Sequence, residues 1–130
     1  MGQALLNISL LVNDYDEAID FYVNKLHFDL LEDTRLSDEK RWVRVRPKGI
    51  NSTALLLAKA VGDKQKAQIG DQAGGRVFLF LNTDQFDKDY ANLKNNNIKI
   101  VRMPKRETYR SVLVFQDLYG NLWDLIEPNN

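Results

Sequence analysis

Cysteine is absent from this chain of 130 residues. Its absence excludes disulfide bonds, thiolate chemistry and zinc sites built on cysteine, and it fits the reducing conditions of the cytoplasm. The N-terminus also lacks a charged region followed by an apolar one, so the sequence indicates no signal peptide. We therefore predict a cytoplasmic protein.

There is no excess of charge of either sign, because 18 Lys and Arg residues balance 18 Asp and Glu residues. This balance argues against a general electrostatic attraction to nucleic acid or to acidic membranes. No apolar run is long enough to span a bilayer. The sequence thus predicts neither a nucleic-acid partner nor a membrane association.

The apolar fraction of 44% is enough for a real core, and its pattern predicts two helices among many strands. One helix is expected to follow a cap at Asn13 or Asp14, and the other to follow Thr83 or Asp84. Pro104 is expected to limit the strand that precedes it. The predicted strands are Leu5 to Val12, Phe28 to Leu36, Arg41 to Arg46, Thr53 to Lys59, Arg76 to Leu81, Ile98 to Met103, Ser111 to Phe115 and Leu122 to Glu127.

Both halves of the chain follow the order strand, helix, strand, strand, strand, which indicates a duplication. We predict a single domain over residues 1–130, with module one at about 1–60 and module two at about 76–130. The polar, glycine-containing segment at about 61–75 is predicted to be the linker loop. Each half is too small to bury its sheet well alone, so the halves should pack together.

The C-terminal stretch from Phe115 to Leu125 is the most informative segment of the chain. It predicts a strand, a tight turn and a second strand, with Gly120 and Asn121 supplying the positive φ that the turn needs. Asp124 lies between Trp123 and Leu125, so its carboxylate should point away from their face of the sheet.

Two motifs stand at opposite ends of the chain: Leu10 to Tyr22, continued by Lys25 to Phe28, and Phe115 to Glu127. The first resembles the opening and the second the closing signature of the vicinal oxygen chelate superfamily, which includes glyoxalase I, bleomycin-resistance proteins, fosfomycin-resistance enzymes and extradiol dioxygenases. The resemblance implies an α+β fold, in which two tandem βαβββ modules form a curved mixed sheet around a central cleft with helices outside. It also implies a homodimer.

Metal-dependent members of this family are similar in binding a divalent ion through His, Gln or Glu, and the matching positions are poor in donors here. They hold Asn7, the leucines of the fourth strand, Arg76 or Phe78, and Asp124. One good ligand and one weak one do not hold a transition metal. We therefore predict no metal site and no cofactor, although Mg²⁺ carried in by a phosphate or acid substrate stays open. His27 stands where the family has Gly after the first helix, which predicts a left-handed C-cap and a structural role.

Strand alternation predicts which side chains face the cleft. Leu6, Ile8, Leu10 and Val12 should pack against the helices, as should Val77, Leu79 and Leu81. The predicted ligand-binding residues are Asn7, Ser9, Trp42, Arg44, Arg46, Phe78, Phe80 and Tyr109, with Asp124 as the catalytic candidate.

Each of these roles has an alternative. The two arginines would bind a carboxylate or phosphate, or else extend to the rim. Asp124 would act as an acid or base, or else form a structural salt bridge to one of them. Tyr109 and Arg110 would belong to a lid over the cleft, or else to a surface loop.

Two functions are consistent with this site. The first is a protein like the bleomycin-resistance members that binds a small organic, anionic ligand, with a degraded metal site. The second is a metal-assisted lyase, isomerase or dioxygenase-type enzyme using Asp124 as ligand or acid/base. Glyoxalase I and extradiol dioxygenase activities are not expected, because the metal positions have lost their donors. A third, weaker hypothesis is an interaction module whose cleft is vestigial.

Overall fold

The computed structural model describes residues 2–49 and 51–129. The chain divides into two compact units, with the boundary between Ile69 and Gly70. Each unit contains a mixed sheet of four strands, which confirms the predicted α+β fold of two βαβββ modules. None of the helices in the described residues is long and apolar enough to cross a membrane.

The first unit is built on a sheet with the strand order β1-β4-β3-β2. Strand β1 runs parallel to β4, and the other neighbouring pairs are antiparallel. The elements of this unit are β1 (Asn7–Val12), α1 (Tyr15–Ile19), a π-helical segment (Asp20–Lys25), β2 (Asp29–Arg35), β3 (Arg41–Arg46), β4 (Ala54–Lys59) and α2 (Gly62–Ala67).

The second unit repeats this arrangement, with the strand order β5-β8-β7-β6. Strands β5 and β8 are parallel, and the remaining pairs are antiparallel. The elements of this unit are β5 (Val77–Asn82), α3 (Phe86–Asn95), β6 (Ile100–Arg106), β7 (Arg110–Gln116) and β8 (Leu122–Pro128).

The first helix starts as predicted and ends as predicted. The Asp14 carboxylate accepts a hydrogen bond of 3.0 Å from the Glu17 N–H, so Asp14 is the N-cap. His27 has a φ of 63°, which confirms the left-handed conformation expected of it. Between these ends the helix widens into the π-helical segment, which hydrophobic spacing alone does not reveal.

Helix α3 begins differently from the prediction. Its N-cap is Gln85, and Thr83 instead accepts a hydrogen bond of 3.0 Å from the Gln85 N–H. The Phe86 N–H donates to Glu127 Oε1 at 2.7 Å. Glu127 belongs to β8, so a carboxylate distant in the sequence accepts the hydrogen bond from the start of the helix that Thr83 or Asp84 was predicted to accept.

Three further predictions about the elements were wrong. The segment at 61–75 contains α2, a short helix whose residues are all exposed, so no apolar periodicity marks it. Pro104 lies inside β6, which tolerates it because β6 is an edge strand with a register shift between Arg102 and Lys105. Leu6 is 69% exposed because β1 begins only at Asn7.

Candidate functional site

Five predicted ligand-binding residues lie on one face of the first sheet: Asn7, Ser9, Trp42, Arg44 and Arg46. Ser9 and Arg44 both pair with Leu56, one from each side, so these three form a row across the sheet. The alternating neighbours are the buried core residues Leu10, Val12, Val43, Val45, Leu55 and Leu57. We call the side that carries the five residues the polar face of the first unit.

Arg44 is oriented by a hydrogen bond within this face. Its Nε donates a hydrogen bond of 2.8 Å to Asn7 Oδ1. Its Nη1 lies 3.8 Å from Glu32 Oε1, and the arginine side chain is 20% exposed. The guanidinium is therefore fixed in direction and only loosely neutralised, and it keeps donors for an anion.

Glu32 was missed by sequence reasoning. A register shift between Leu30 and Glu32 brings it opposite Arg44. Strict alternation along β2 cannot reveal such a pairing, because one inserted residue changes the face of those that follow.

Arg46 has a different environment. Its Nε is buried and has no hydrogen-bond partner within residues 2–49 and 51–129. Asp29, its partner in register, instead forms an ion pair of 2.6 Å with Lys48. Among the described residues Arg46 therefore has no ion pair that would account for its position. Its buried donor costs about 1–3 kcal/mol as long as it lacks an acceptor.

A cavity of about 680 Å³ lies at one end of the polar face, between the start of β3, the end of β4 and α2. Trp42 and Leu56 line it from the polar face, and Tyr15 lines it from α1. This volume lies in the range of about 300–1,000 Å³ that small-molecule sites occupy.

Arg41 closes one side of this cavity through contacts that the sequence did not indicate. It donates to both oxygens of Asp33, at 3.1 and 2.7 Å, and to Asp16 Oδ1 at 2.8 Å. It also lies over the Tyr15 ring, 5.2 Å from the centroid. These hydrogen bonds raise the pKa of Arg41 and lower that of Asp33, so both stay charged and hold α1 against β2 and β3.

Asp124 belongs to the second unit, where the register places it between Phe80 and Val114. Trp123 and Leu125 are buried, at 2% and 1% exposure, so the carboxylate points away from the core as predicted. Phe80 is 66% exposed. These two side chains therefore share the opposite face of the second sheet.

The carboxyl group of Asp124 is poorly compensated. Its Oδ1 is buried and has no hydrogen-bond partner among the described residues. Burial raises its pKa, and the charges of Arg110 and Arg102 only partly oppose this. Within the described part of the chain no salt bridge reaches Asp124, so the geometry gives the salt-bridge alternative no support.

The structure does not bring all predicted residues of the second unit together. A register shift between Val77 and Leu79 interrupts the alternation of β5 at Phe78. Val77 pairs with Leu122, on the face of Asp124, so its predicted place against the helices was wrong. Tyr109 is 80% exposed between β6 and β7.

Asn121 differs from the prediction for the closing turn. Gly120 has a φ of 102°, as expected, but no positive φ is found at Asn121. Asn121 is instead 3% exposed, and its side chain donates to Asp117 Oδ2 at 3.0 Å. Asparagine is thus needed here for its amide rather than for its backbone.

The donors at the family's metal positions do not fit a divalent ion. Asn7 Oδ1 already accepts from Arg44, and a cationic neighbour disfavours a second cation. The fourth strand offers only alanine and leucine side chains before Lys59. Within the described residues no three His, Cys, Asp or Glu side chains converge on one point.

The raised pKa of Asp124 predicts a pH-dependent stability difference. A carboxyl with a higher pKa in the folded protein contributes stability that is present below the unfolded value, near 3.8, and is lost as the pH rises through the folded value. Asp124→Asn should therefore raise the melting temperature at neutral pH by a few degrees and lose this advantage in acid. Melting curves of both proteins across this pH range check it, with the exposed Asp84→Asn as control. A lower melting temperature of Asp124→Asn at neutral pH would show that the carboxylate is held by a favourable charge.

Comparison with known proteins places the chain in a family. Residues 4–125 match the model of the Glyoxalase/Bleomycin resistance protein/Dioxygenase superfamily. An uncharacterized protein of Shewanella frigidimarina (strain NCIMB 400) is 58% identical, over 100% of this chain and 97% of that protein.

Solved structures agree with this match. TnmS3, an antibiotic binding protein from Streptomyces sp. CB03234, is 31% identical with a TM-score of 0.77, over 98% of this chain and 97% of TnmS3. UcmS2 is 26% identical with a TM-score of 0.81, over 97% of this chain and 98% of UcmS2. The chain therefore belongs to the glyoxalase, bleomycin resistance protein and dioxygenase superfamily.

Proposed function

We propose that the protein binds a small organic ligand with an anionic group, and that the polar face of the first unit holds it. The observation that carries this proposal is the setting of Arg44, whose Nε is fixed by Asn7 while its other donors stay available. Arg46 lies two residues further along the same face, about 7 Å away by strand geometry. Two guanidinium groups at this spacing favour a carboxylate or phosphate.

The apolar part of the ligand would lie against Trp42 and Leu56. Both residues belong to this face and line the cavity at its end. An aromatic floor with a few polar anchors is the usual composition of a small-molecule site. The similarity to TnmS3, an antibiotic binding protein, supports the same class of function.

We also propose that binding needs no family-type metal ion. The donor set supports this, since Asn7 is engaged by Arg44 and β4 supplies no oxygen or nitrogen side chain towards the polar face. The homodimer and the cytoplasmic location remain predictions. Light scattering during gel filtration measures the mass in solution and tests the former.

A thermal-shift screen of metabolites and glycopeptide antibiotics tests the proposal. A ligand at about 100 times its dissociation constant should add roughly 2.7 kcal/mol of stability. Arg44→Met should weaken a stabilising acid at least about tenfold, because a hydrogen bond to a charged group contributes about 1.5–3 kcal/mol. Arg35→Met is the matched control, since Arg35 is exposed at the end of β2 and should leave affinity unchanged. Equal losses in both variants would contradict the assignment to Arg44.

The second candidate is acid–base catalysis by Asp124. It is favoured by the buried, unpartnered Oδ1 and the raised pKa of this group, both of which are typical of catalytic carboxyls. If Asp124 is the catalyst, Asp124→Asn should abolish turnover of a stabilising ligand while leaving its thermal shift in place. If a ligand stabilises the protein and is recovered chemically unchanged, catalysis by Asp124 is contradicted and the binding function stands.

A further inference from the structure

We infer that the cavity beside Trp42 is the subsite for the anionic group of an aromatic carboxylate, and that Lys40, Lys59 and Lys66 recognise that group. The inference rests on the proposed ligand binding, because Trp42 belongs both to the proposed ligand site and to the lining of the cavity. It adds the lysines to Arg44 as anchors for the anion, and so names both the ligand class and its orientation. All of these residues belong to the first unit.

The three lysines give the cavity an uncompensated positive charge. Each lines it, and within the described residues none forms an ion pair. Arg41 also lines the cavity, but Asp33 and Asp16 already compensate its charge. Glu39 is the carboxylate among the lining residues. Three lysines against one glutamate leave the cavity attractive to an anion.

The rim is held in place by its backbone. The Lys40 carbonyl accepts from the N–H groups of Leu36 and Ser37, at 2.8 and 3.1 Å. On the opposite side Gln65 Oε1 accepts from the Val61 N–H at 2.8 Å, which fixes the start of α2. The backbone from which Lys40 and Lys66 extend is therefore held by hydrogen bonds, so binding does not have to order these segments.

The interior suits an aromatic ring with a polar end. Trp42 and Leu56 supply the apolar surface for stacking. Tyr15 is 7% exposed, and its hydroxyl oxygen accepts from the Arg41 backbone N–H at 3.2 Å. Its own O–H can therefore donate to a ligand oxygen in the cavity. An aromatic carboxylate can make all of these contacts together. Its ring would stack on Trp42 and Leu56, and its carboxylate would accept from the Tyr15 hydroxyl and the lysines.

The test compares a naphthalene carboxylate with its neutral carboxamide by NMR. The chain has two tryptophans, so two indole N–H signals are expected, and Trp42→Phe assigns them. The carboxylate should shift the Trp42 signal, leave that of Trp123 in place, and bind at least about tenfold more tightly than the amide at low salt. Raising the ionic strength should reduce this preference.

Two lysines of α2 give a matched pair of variants. Lys66 lines the cavity and Lys64 does not, yet both are exposed, and a change to glutamate replaces a positive charge by a negative one at either position. Lys66→Glu should weaken the carboxylate about five- to tenfold, and Lys64→Glu less than about twofold. Equal effects in the two variants would overturn the inference.

The remaining outcomes separate the inference from the proposed function. If carboxylate and amide shift Trp42 with equal affinity, the anion subsite fails while ligand binding at Trp42 stands. If Arg44→Met removes the preference for the carboxylate and Lys66→Glu does not, the anion lies at Arg44 and the inference again fails alone. If neither probe shifts Trp42 at millimolar concentration, both are contradicted.

Discussion

Gly70→Ala is expected to destabilise the protein by about 3 kcal/mol or more, because a Cβ at this position would lie 1.9 Å from the backbone oxygen of Tyr119. The contact joins the start of the second unit to the β7–β8 turn, so relief requires that the backbone itself moves. Gly70 also has a φ of 78°, and a left-handed conformation costs a residue with a side chain about 1–2 kcal/mol. Urea unfolding followed by circular dichroism measures the loss.

Gly74→Ala separates the two contributions. Gly74 has a φ of 63°, but an added Cβ would meet nothing within 4 Å. Its replacement should therefore cost only about 1–2 kcal/mol, the conformational part alone. If the two variants lose the same free energy of unfolding, the close approach of Gly70 to Tyr119 is not what excludes a side chain at Gly70.

Asp117→Ala should cost about 3 kcal/mol, because it removes a buried carboxylate that organises the same turn. Asp117 is 3% exposed. Its Oδ1 accepts from the N–H groups of Tyr119 and Asn121, both at 2.9 Å, and its Oδ2 accepts from Asn121 Nδ2 at 3.0 Å. Each buried donor left without a partner costs about 1–3 kcal/mol. The measurement is again the free energy of unfolding in urea.

Asp117→Asn and Asp84→Ala are the controls. The first keeps one oxygen for the backbone donors and should lose about half as much. The second removes an exposed carboxylate and should change stability by less than about 0.5 kcal/mol. A loss of under about 1 kcal/mol in Asp117→Ala would contradict this account of the turn.

The two sites should also be coupled. Asn121 Oδ1 accepts from the Gln72 N–H at 3.2 Å, so the Asp117 network reaches the segment that contains Gly70. The double variant is therefore expected to lose less than the sum of the single losses.

The parts of the fold that were predicted correctly follow from local pattern. Strict alternation from Arg41 to Arg46 predicted β3 to the residue, and Asp14 was one of the two residues predicted to cap the first helix. Sequence reasoning failed where a distant partner decides the structure. Glu127 caps α3 across the sheet, and an edge position lets Pro104 stay within β6. Neither relation has a signature within a short window of sequence.

In the candidate site, too, local pattern predicted some residues correctly and distant partners caused the failures. Alternation placed Asn7, Arg44 and Trp42 on one face, which the register of the first sheet reproduces. It missed Glu32, because a register shift brings that residue opposite Arg44. It also missed the cavity, because α2 has no apolar face to reveal it. Which of the predicted residues touch a ligand remains a prediction.

The central claim is that this chain binds an organic anion without a metal ion. Its most direct test is a thermal-shift comparison of naphthalene carboxylate and carboxamide on protein treated with EDTA. We predict that the carboxylate stabilises the metal-free protein, that the amide stabilises it less, and that added Zn²⁺, Ni²⁺ or Mn²⁺ changes neither shift. Stabilisation by the carboxylate only after one of these ions is added would contradict the claim, as would no stabilisation by either compound.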